Sequence, residues 1–163
     1  MSFAVYNADC WCESCAKSIK ESIVKEIIED MWSDMRRRFP KTVLDPLTDQ
    51  HKEELTETLI DYMDRQTADT DDWPSTGNPE EATDGPQHCG AGETCDEAED
   101  LGDGCKIGAL LGTDLTDHGV DYLNEMIGEK PTNDHQRRVH EFWRQSFEHY
   151  DLVADPSDPA EEE

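Results

Sequence analysis

No lysine or arginine occurs between Gln66 and Gly104, although that stretch holds 12 aspartates and glutamates. Basic residues are missing again from the last 13 residues, 151–163, where six more acids lie. Eighteen of the 26 excess negative charges of this 163-residue chain therefore fall in a middle segment and a tail. Residues 1–65 and 105–150 are only mildly acidic. This uneven distribution argues against adaptation to very high salt, which calls for an acidic surface over the whole folded body. A nucleic-acid binder is disfavoured as well, because it needs a basic footprint to displace phosphate counterions. The only basic runs are RRR at 36–38 and HQRRVH at 135–140. The first closes an expected helix, where cations interact favourably with the helix dipole.

Long apolar runs are also lacking. None approaches the ~20 residues needed to span a bilayer. The opening MSFAVYNADC has neither a basic region nor a continuous apolar core of the kind that directs secretion, so a cytoplasmic location is expected. Several catalytic signatures are missing too: H-E-x-x-H, the H-x-E plus P-C-x-x-C pair of zinc deaminases, a phosphate-binding Gly-Lys-Ser/Thr loop and a G-x-S-x-G elbow. No catalytic residue is assigned, and a non-enzymatic protein is expected. A zinc enzyme, with His88 and Glu93 flanking a metal-bound water, is the less favoured alternative.

Hydrophobic residues make up 34% of the chain and charged residues 33%. That balance leaves a modest core, provided the acidic excess stays outside it. SFAVYN (2–7) reads as one short strand. In AKSIKESIVKEIIEDMWSDMRRR (16–38) the side chains Ile19, Ile23, Ile27, Met31 and Met35 recur four apart, and Val24, Ile28 and Trp32 widen the stripe, which predicts a helix. Phe39-Pro40 stops it. A second helix is expected from Thr48 or Asp49 through Leu55, Leu59, Tyr62 and Met63. Residues 66–87, with three prolines and two glycines, read as a disordered or loosely attached acidic linker on which Trp73 alone could dock. KIGALLG suggests a strand or a packed turn. LTDHGVDYLNEMIG predicts a third helix capped by Thr116 and stopped by Gly128. A fourth is expected from Asn133 to Tyr150, with Val139, Phe142, Trp143, Phe147 and Tyr150 as its core stripe. The tail DPSDPAEEE reads as disordered.

What the sequence does have is cysteine. Six in a chain expected to occupy a reducing compartment argue for metal rather than disulfides. Cys12-Glu13-Ser14-Cys15 is a C-x2-C knuckle set directly before a strong helix, whose unpaired N–H groups favour a thiolate at Cys15. Two ligands do not close a tetrahedral site, and Cys89 and Cys95 are the nearest second pair after a 73-residue interval. A structural zinc on Cys12, Cys15, Cys89 and Cys95 is thus expected, with Cys10, His88 and Cys105 as alternative ligands. An iron–sulfur cluster and redox-active thiols stay open as other uses of the cysteines. As free residues, Cys10 and Cys105 read as small buried hydrophobes.

PQHCGAGETC (86–95), LTDHGVDYL (115–123) and EFWRQSFEHYDL (141–152) together resemble a loose set of small uncharacterised phage and bacterial proteins. These combine a PQHC-type cysteine motif, an LT-x-x-G-x-x-Y helix start and a terminal aromatic cluster. The resemblance covers about the last 65 residues before the tail plus the early knuckle. It implies metal binding around Cys89 and no known activity; if the chain is phage-encoded, the compartment is the host cytoplasm. The spacing departs from the tighter PQHC-x2-C form, five residues separating Cys89 from Cys95.

These readings converge on a mainly α protein with a little β: about four helices and one or two short strands around a structural zinc site. Residues 1–65 form the knuckle and two helices, 66–87 the linker, 88–150 a second cysteine cluster and two helices that fold with 1–65, and 151–163 the tail. The expected activity is that of an adaptor or regulator working by contact with another protein, without direct nucleic-acid or membrane binding. Its candidate contact surfaces are the wide stripe of the first helix and the aromatic fourth helix flanked by Arg137, Arg138 and Arg144. An acidic mimic of nucleic acid is the alternative, one that gains ground if residues 91–104 are ordered around the metal.

Overall fold

The computed structural model describes residues 3–7, 9–40, 48–66, 72–77, 81–154 and 156. A hairpin opens the chain, β1 (Phe3–Tyr6) against β2 (Asp9–Cys12), in antiparallel register from Phe3 opposite Cys12 to Tyr6 opposite Asp9. Asn7 turns the corner at φ 51°, a left-handed conformation that asparagine tolerates better than most residues. The single expected strand is thus half of a pair, and the first cysteines lie on the returning strand.

Cys12 ends β2 in an extended conformation and is also the N-cap of α1 (Glu13–Arg38). The helix starts one turn earlier than its apolar pattern indicates, because the strand delivers the chain to it directly and Cys15 falls inside the first turn. A four-residue spacing advances about 40° around a helix per step. The stripe Ile19, Ile23, Ile27, Met31, Met35 therefore winds instead of forming one face. Ala16 and Val24 are buried, whereas Met31, Met35 and Phe39 are exposed. Arg36, Arg37 and Arg38 occupy the last turn, as the dipole favours.

Helix α2 (Asp49–Gln66) packs on α1 and is tied to it by Lys20, whose Nζ lies 2.5 Å from Asp64 Oδ1. Thr48 Oγ1 accepts the His51 N–H at its start. Part of the acidic stretch expected to be loosely held is docked. Trp73 is fully buried, donates from Nε1 to Asp64 Oδ1 at 2.7 Å and lies under Lys20 Nζ, 5.5 Å from the ring centroid. Behind it β3 (Ser75–Thr76) adds to β1, giving a sheet of order β2-β1-β3. Thr83 pairs with Leu115 and His88 with Leu110. One buried tryptophan with a satisfied N–H is enough to hold a polar segment of this kind. Residues 67–71 and 78–80 lie outside the described residues.

In the second half, a hairpin of β4 (Glu99–Gly102) and β5 (Cys105–Ile107) precedes α3 (Asp117–Gly128) and α4 (Asp134–Ser146). Thr116 caps α3 as expected, accepting the Gly119 N–H at 3.0 Å. Asn133 caps α4, accepting the Gln136 N–H at 2.8 Å, while Gln136 Oε1 reaches back to the Thr132 N–H. The fourth helix ends four residues before its expected limit. Phe147, with its N–H on the Trp143 carbonyl, leaves the helix and enters a core of Leu115, Leu123 and Ile127. The turn that follows lets the Tyr150 hydroxyl accept the Leu115 N–H at 2.7 Å. The start of the tail is held as well, since the Val153 N–H meets Asn124 Oδ1. Residues 155 and 157–163 fall outside the described residues. Among the described residues there are thus four α-helices and five short antiparallel strands, and none of the helices is long and apolar enough to cross a membrane.

Replacing Trp73 by Ala removes a fully buried ring and its hydrogen bond to Asp64, so the unfolding free energy should fall by about 3–5 kcal/mol. Denaturant titration measures it; a loss below about 1 kcal/mol would mean that this segment does not hold the α1–α2 pair to the sheet.

Candidate metal centre

Two loops bring four sulfurs together. The first is the strand-to-helix junction, where Cys12 at the end of β2 and Cys15 in the first turn of α1 are held three residues apart by helical geometry. The second is the turn from Cys89 to Cys95, closed by the Gly92 N–H on the Cys89 carbonyl and the Cys95 N–H on the Gly92 carbonyl. Gly92, at φ 56°, permits that turn. A second pair of backbone bonds docks the turn on both sides of the fold: Gly90 N–H on the Cys10 carbonyl at 2.8 Å and Cys89 N–H on the Ala109 carbonyl at 2.9 Å. Gly108 is essential to this approach, because a Cβ there would stand 2.4 Å from the Cys89 carbonyl oxygen.

The sulfurs of Cys12, Cys15, Cys89 and Cys95 all lie within 4.8 Å of one another. Cys12 Sγ is 3.5 Å and Cys15 Sγ 3.7 Å from Cys95 Sγ. Four thiolates bound tetrahedrally at ~2.3 Å are separated by ~3.8 Å, so the sulfurs already stand at ligand spacing. All six cysteines are free. Cys12, Cys89 and Cys95 are buried, and Cys15 is half-buried.

Backbone donors complete the cage. The Cys12 N–H points at Cys89 Sγ, 3.4 Å away. Further N–H groups serve the other sulfurs: Cys15 to Cys12, Asp96 to Cys15, and Glu97 and Ala109 to Cys95. Donors aimed at sulfur stabilise thiolates and fix their orientation, the outer-shell arrangement a ligand set requires. They do not suffice without a cation. Burial pushes the Cys12 thiol up to about 11. Burial followed by the neighbouring thiols of Cys12, Cys95 and Cys89 pushes Cys15 well above the ordinary thiol range. Burial would raise Cys95 too, but the Ala109 and Glu97 N–H groups and its neighbouring thiols outweigh it and hold this sulfur below the ordinary value. One preferred thiolate among reluctant neighbours is what a soft divalent cation would resolve, by supplying the charge that the cage lacks. The cluster can hold a metal ion, and all its tetrahedral positions are met by protein sulfur.

The alternative ligands lie outside the cluster. His88 is half-buried with both ring nitrogens engaged: Nδ1 donates to the Gly108 carbonyl at 2.7 Å and Nε2 accepts from Trp143 Nε1–H at 2.9 Å. Only the neutral ring with its proton on Nδ1 satisfies both, and burial lowers its pKa accordingly, against the opposing pulls of the Gly108 carbonyl and Glu99. His88 thus acts as a strut between the cysteine turn and α4, and its Nε2 is not available to flank a metal-bound water with Glu93. Cys10 packs against the cluster, its thiol raised by burial and then by Asp9. Cys105 stands on β5, half-exposed and against His135, so neither residue is the fully buried small hydrophobe expected. Sequence reasoning missed Gly108, the Ala109 N–H and Trp143 as supports of the site. None carries a local signal, since each acts through a contact that only the fold creates.

Comparisons of the chain with protein-family models, with curated proteins and with solved structures return no match. The site therefore stands on its own geometry.

At pH 7 the metal-free thiols of Cys12 and Cys15 keep their protons, so a cation that binds all four sulfurs must expel at least two of them. Apparent affinity should then rise by at least about 100-fold per pH unit near neutrality. Zinc(II) titration calorimetry in buffers of different ionisation heat counts the protons, and release of fewer than two would contradict this arrangement.

Proposed function

We propose that the ion is zinc, that it is structural, and that the protein is a non-enzymatic adaptor or regulator acting by contact with another protein. The closed sulfur set carries the first part. Four thiolates suit zinc, and a site with four protein ligands and backbone donors around them leaves no open position for substrate or water. The ion holds the hairpin and α1 against the second half of the chain.

The contact surface follows from what the fold leaves uncovered. The aromatic stripe of α4 is satisfied internally. Val139 and Phe147 are buried, Trp143 donates to His88, and Arg144 donates to the Ile127 and Val153 carbonyls. The outer end of α1 differs, since Met31, Met35 and Phe39 are 58%, 39% and 56% exposed beside Arg36, Arg37 and Arg38. Large apolar anchors next to the densest basic group of an acidic chain fit a partner with an acidic rim around an apolar pocket.

A specific observation keeps a second reading in view. Residues 81–104 hold eight acids and no lysine or arginine, and all of them are described, folded around the cysteine turn. Glu93, Asp96, Glu97, Glu99, Asp100 and Asp103 are exposed there. An acidic surface fixed by a metal is what occupation of a basic groove would need.

Photo-crosslinkers placed singly at Met35 and at Glu97, with one at Tyr122 as control, separate the two in cell extract of set salt concentration. The first reading expects one defined adduct from position 35 alone, lost when Arg36, Arg37 and Arg38 are changed to Ala and insensitive to added duplex DNA. The second expects capture near Glu97 that DNA displaces and that weakens steeply between about 50 and about 200 mM salt. Equal capture at Met35 and Tyr122 contradicts the first, and DNA-insensitive capture at Glu97 contradicts the second.

A further inference from the structure

Outside the four-sulfur cluster the structure sets one more cysteine against a base. Cys105 Sγ lies 3.0 Å from His135 Nδ1, a sulfur and an imidazole brought together from positions 30 residues apart. Neither group serves the metal centre, whose four sulfurs are Cys12, Cys15, Cys89 and Cys95. We propose that the Cys105–His135 pair is a reactive-thiol site that forms a mixed disulfide with a low-molecular-weight disulfide such as oxidised glutathione.

Three features support it. The pairing is built into the fold: Cys105 opens β5, His135 lies in the first turn of α4, and Arg138 of α4 ties that helix to the β4–β5 hairpin by donating to the Leu101 carbonyl of β4 at 2.7 Å and pairing with Asp103 in the turn. Arg138 keeps only 19% of its side chain exposed, and its bond to the Leu101 carbonyl is partly buried. The approach to sulfur is open. Cys105 is half-exposed, and its contact with His135 lies at the surface of the molecule. Third, the remaining thiols are less available: four face one another in the cluster and Cys10 packs against it. A nucleophile and a base within hydrogen-bond reach of each other are the minimal arrangement for activating a thiol.

The exchange balances as written. His135 Nδ1 accepts the Cys105 proton as Sγ attacks one sulfur of the disulfide. The bond between the two small-molecule sulfurs breaks, a new one forms to Cys105, and the departing thiolate takes the proton from the imidazolium. One protein thiol and one disulfide become one mixed disulfide and one free thiol.

The zinc-loaded full-length protein, treated with oxidised glutathione and mapped by peptide mass spectrometry, tests the assignment. One adduct per chain at Cys105 is expected, with the four cluster cysteines unmodified. His135→Ala should slow adduct formation about tenfold, because a free thiol is only a few per cent thiolate at neutral pH and a base can raise that fraction at most to unity. Imidazole added to the buffer should restore part of the rate to that variant, which a merely structural role of His135 would not allow. Zinc content measured on the same samples shows that the variant remains folded around the metal. First modification at Cys10, or an unchanged rate in His135→Ala, would overturn the proposal.

Discussion

The whole arrangement depends on a patch in which sulfur takes the place of hydrocarbon. The core that joins the two halves of the chain has five buried members, Cys12, Cys89, Cys95, Ala109 and Leu111, three of them cysteines. Burying a leucine contributes about 1.5–3 kcal/mol and an alanine less. Binding of a structural zinc contributes about 10–16 kcal/mol, and where no site exists in the unfolded chain that energy is folding energy. A zinc ion bound there would therefore outweigh the apolar contacts of this seam several-fold. The α1–α2 pair has little core of its own, with only Ala16, Val24 and Thr56 buried. The other core, around Leu123, Ile127 and Phe147, belongs to α3 and α4.

The same seam explains how so acidic a chain stays compact. Segments that carry the excess charge are anchored at single points of high value: Trp73 under Lys20, Thr83 on the Leu115 strand segment, and the cysteine turn itself. Between those anchors the carboxylates face water. Asp103, though exposed, also pairs with Arg138 where the β4–β5 hairpin meets α4. Charge is therefore arranged around the cysteine turn, and a divalent cation there would not neutralise it, since four thiolates with one such ion still sum to a negative charge. The outer end of α1, with its three terminal arginines and exposed methionines, contrasts with these acidic segments.

How much was legible in the sequence follows from the range over which each signal acts. The four helices were, because capping residues and apolar spacing are local: Thr116 caps α3 and Asn133 caps α4 as their residue types suggest. The C-x2-C knuckle pointed to half of the cluster, and Cys89 and Cys95 followed as the nearest second pair, with Cys10, His88 and Cys105 left open as alternatives. β2 was not legible, since in DCWC the cysteines that signal a metal hide the pairing with FAVY. Nor was the docking of residues 72–77, where composition argues for mobility and a single buried Trp73 decides otherwise. The role of His88 could not be read either, since it depends on Trp143 and Gly108, which lie 55 and 20 residues away.

If an ion holds the two halves together, removing a sulfur from either half must have the same effect. Native mass spectrometry with thermal unfolding, on the wild type and on Cys12→Ser and Cys89→Ser prepared without chelator, compares them directly. The account predicts one zinc per wild-type chain, and loss of both the metal and the cooperative transition in either variant. A wild-type chain that carries no metal, or variants that unfold as it does, would contradict it.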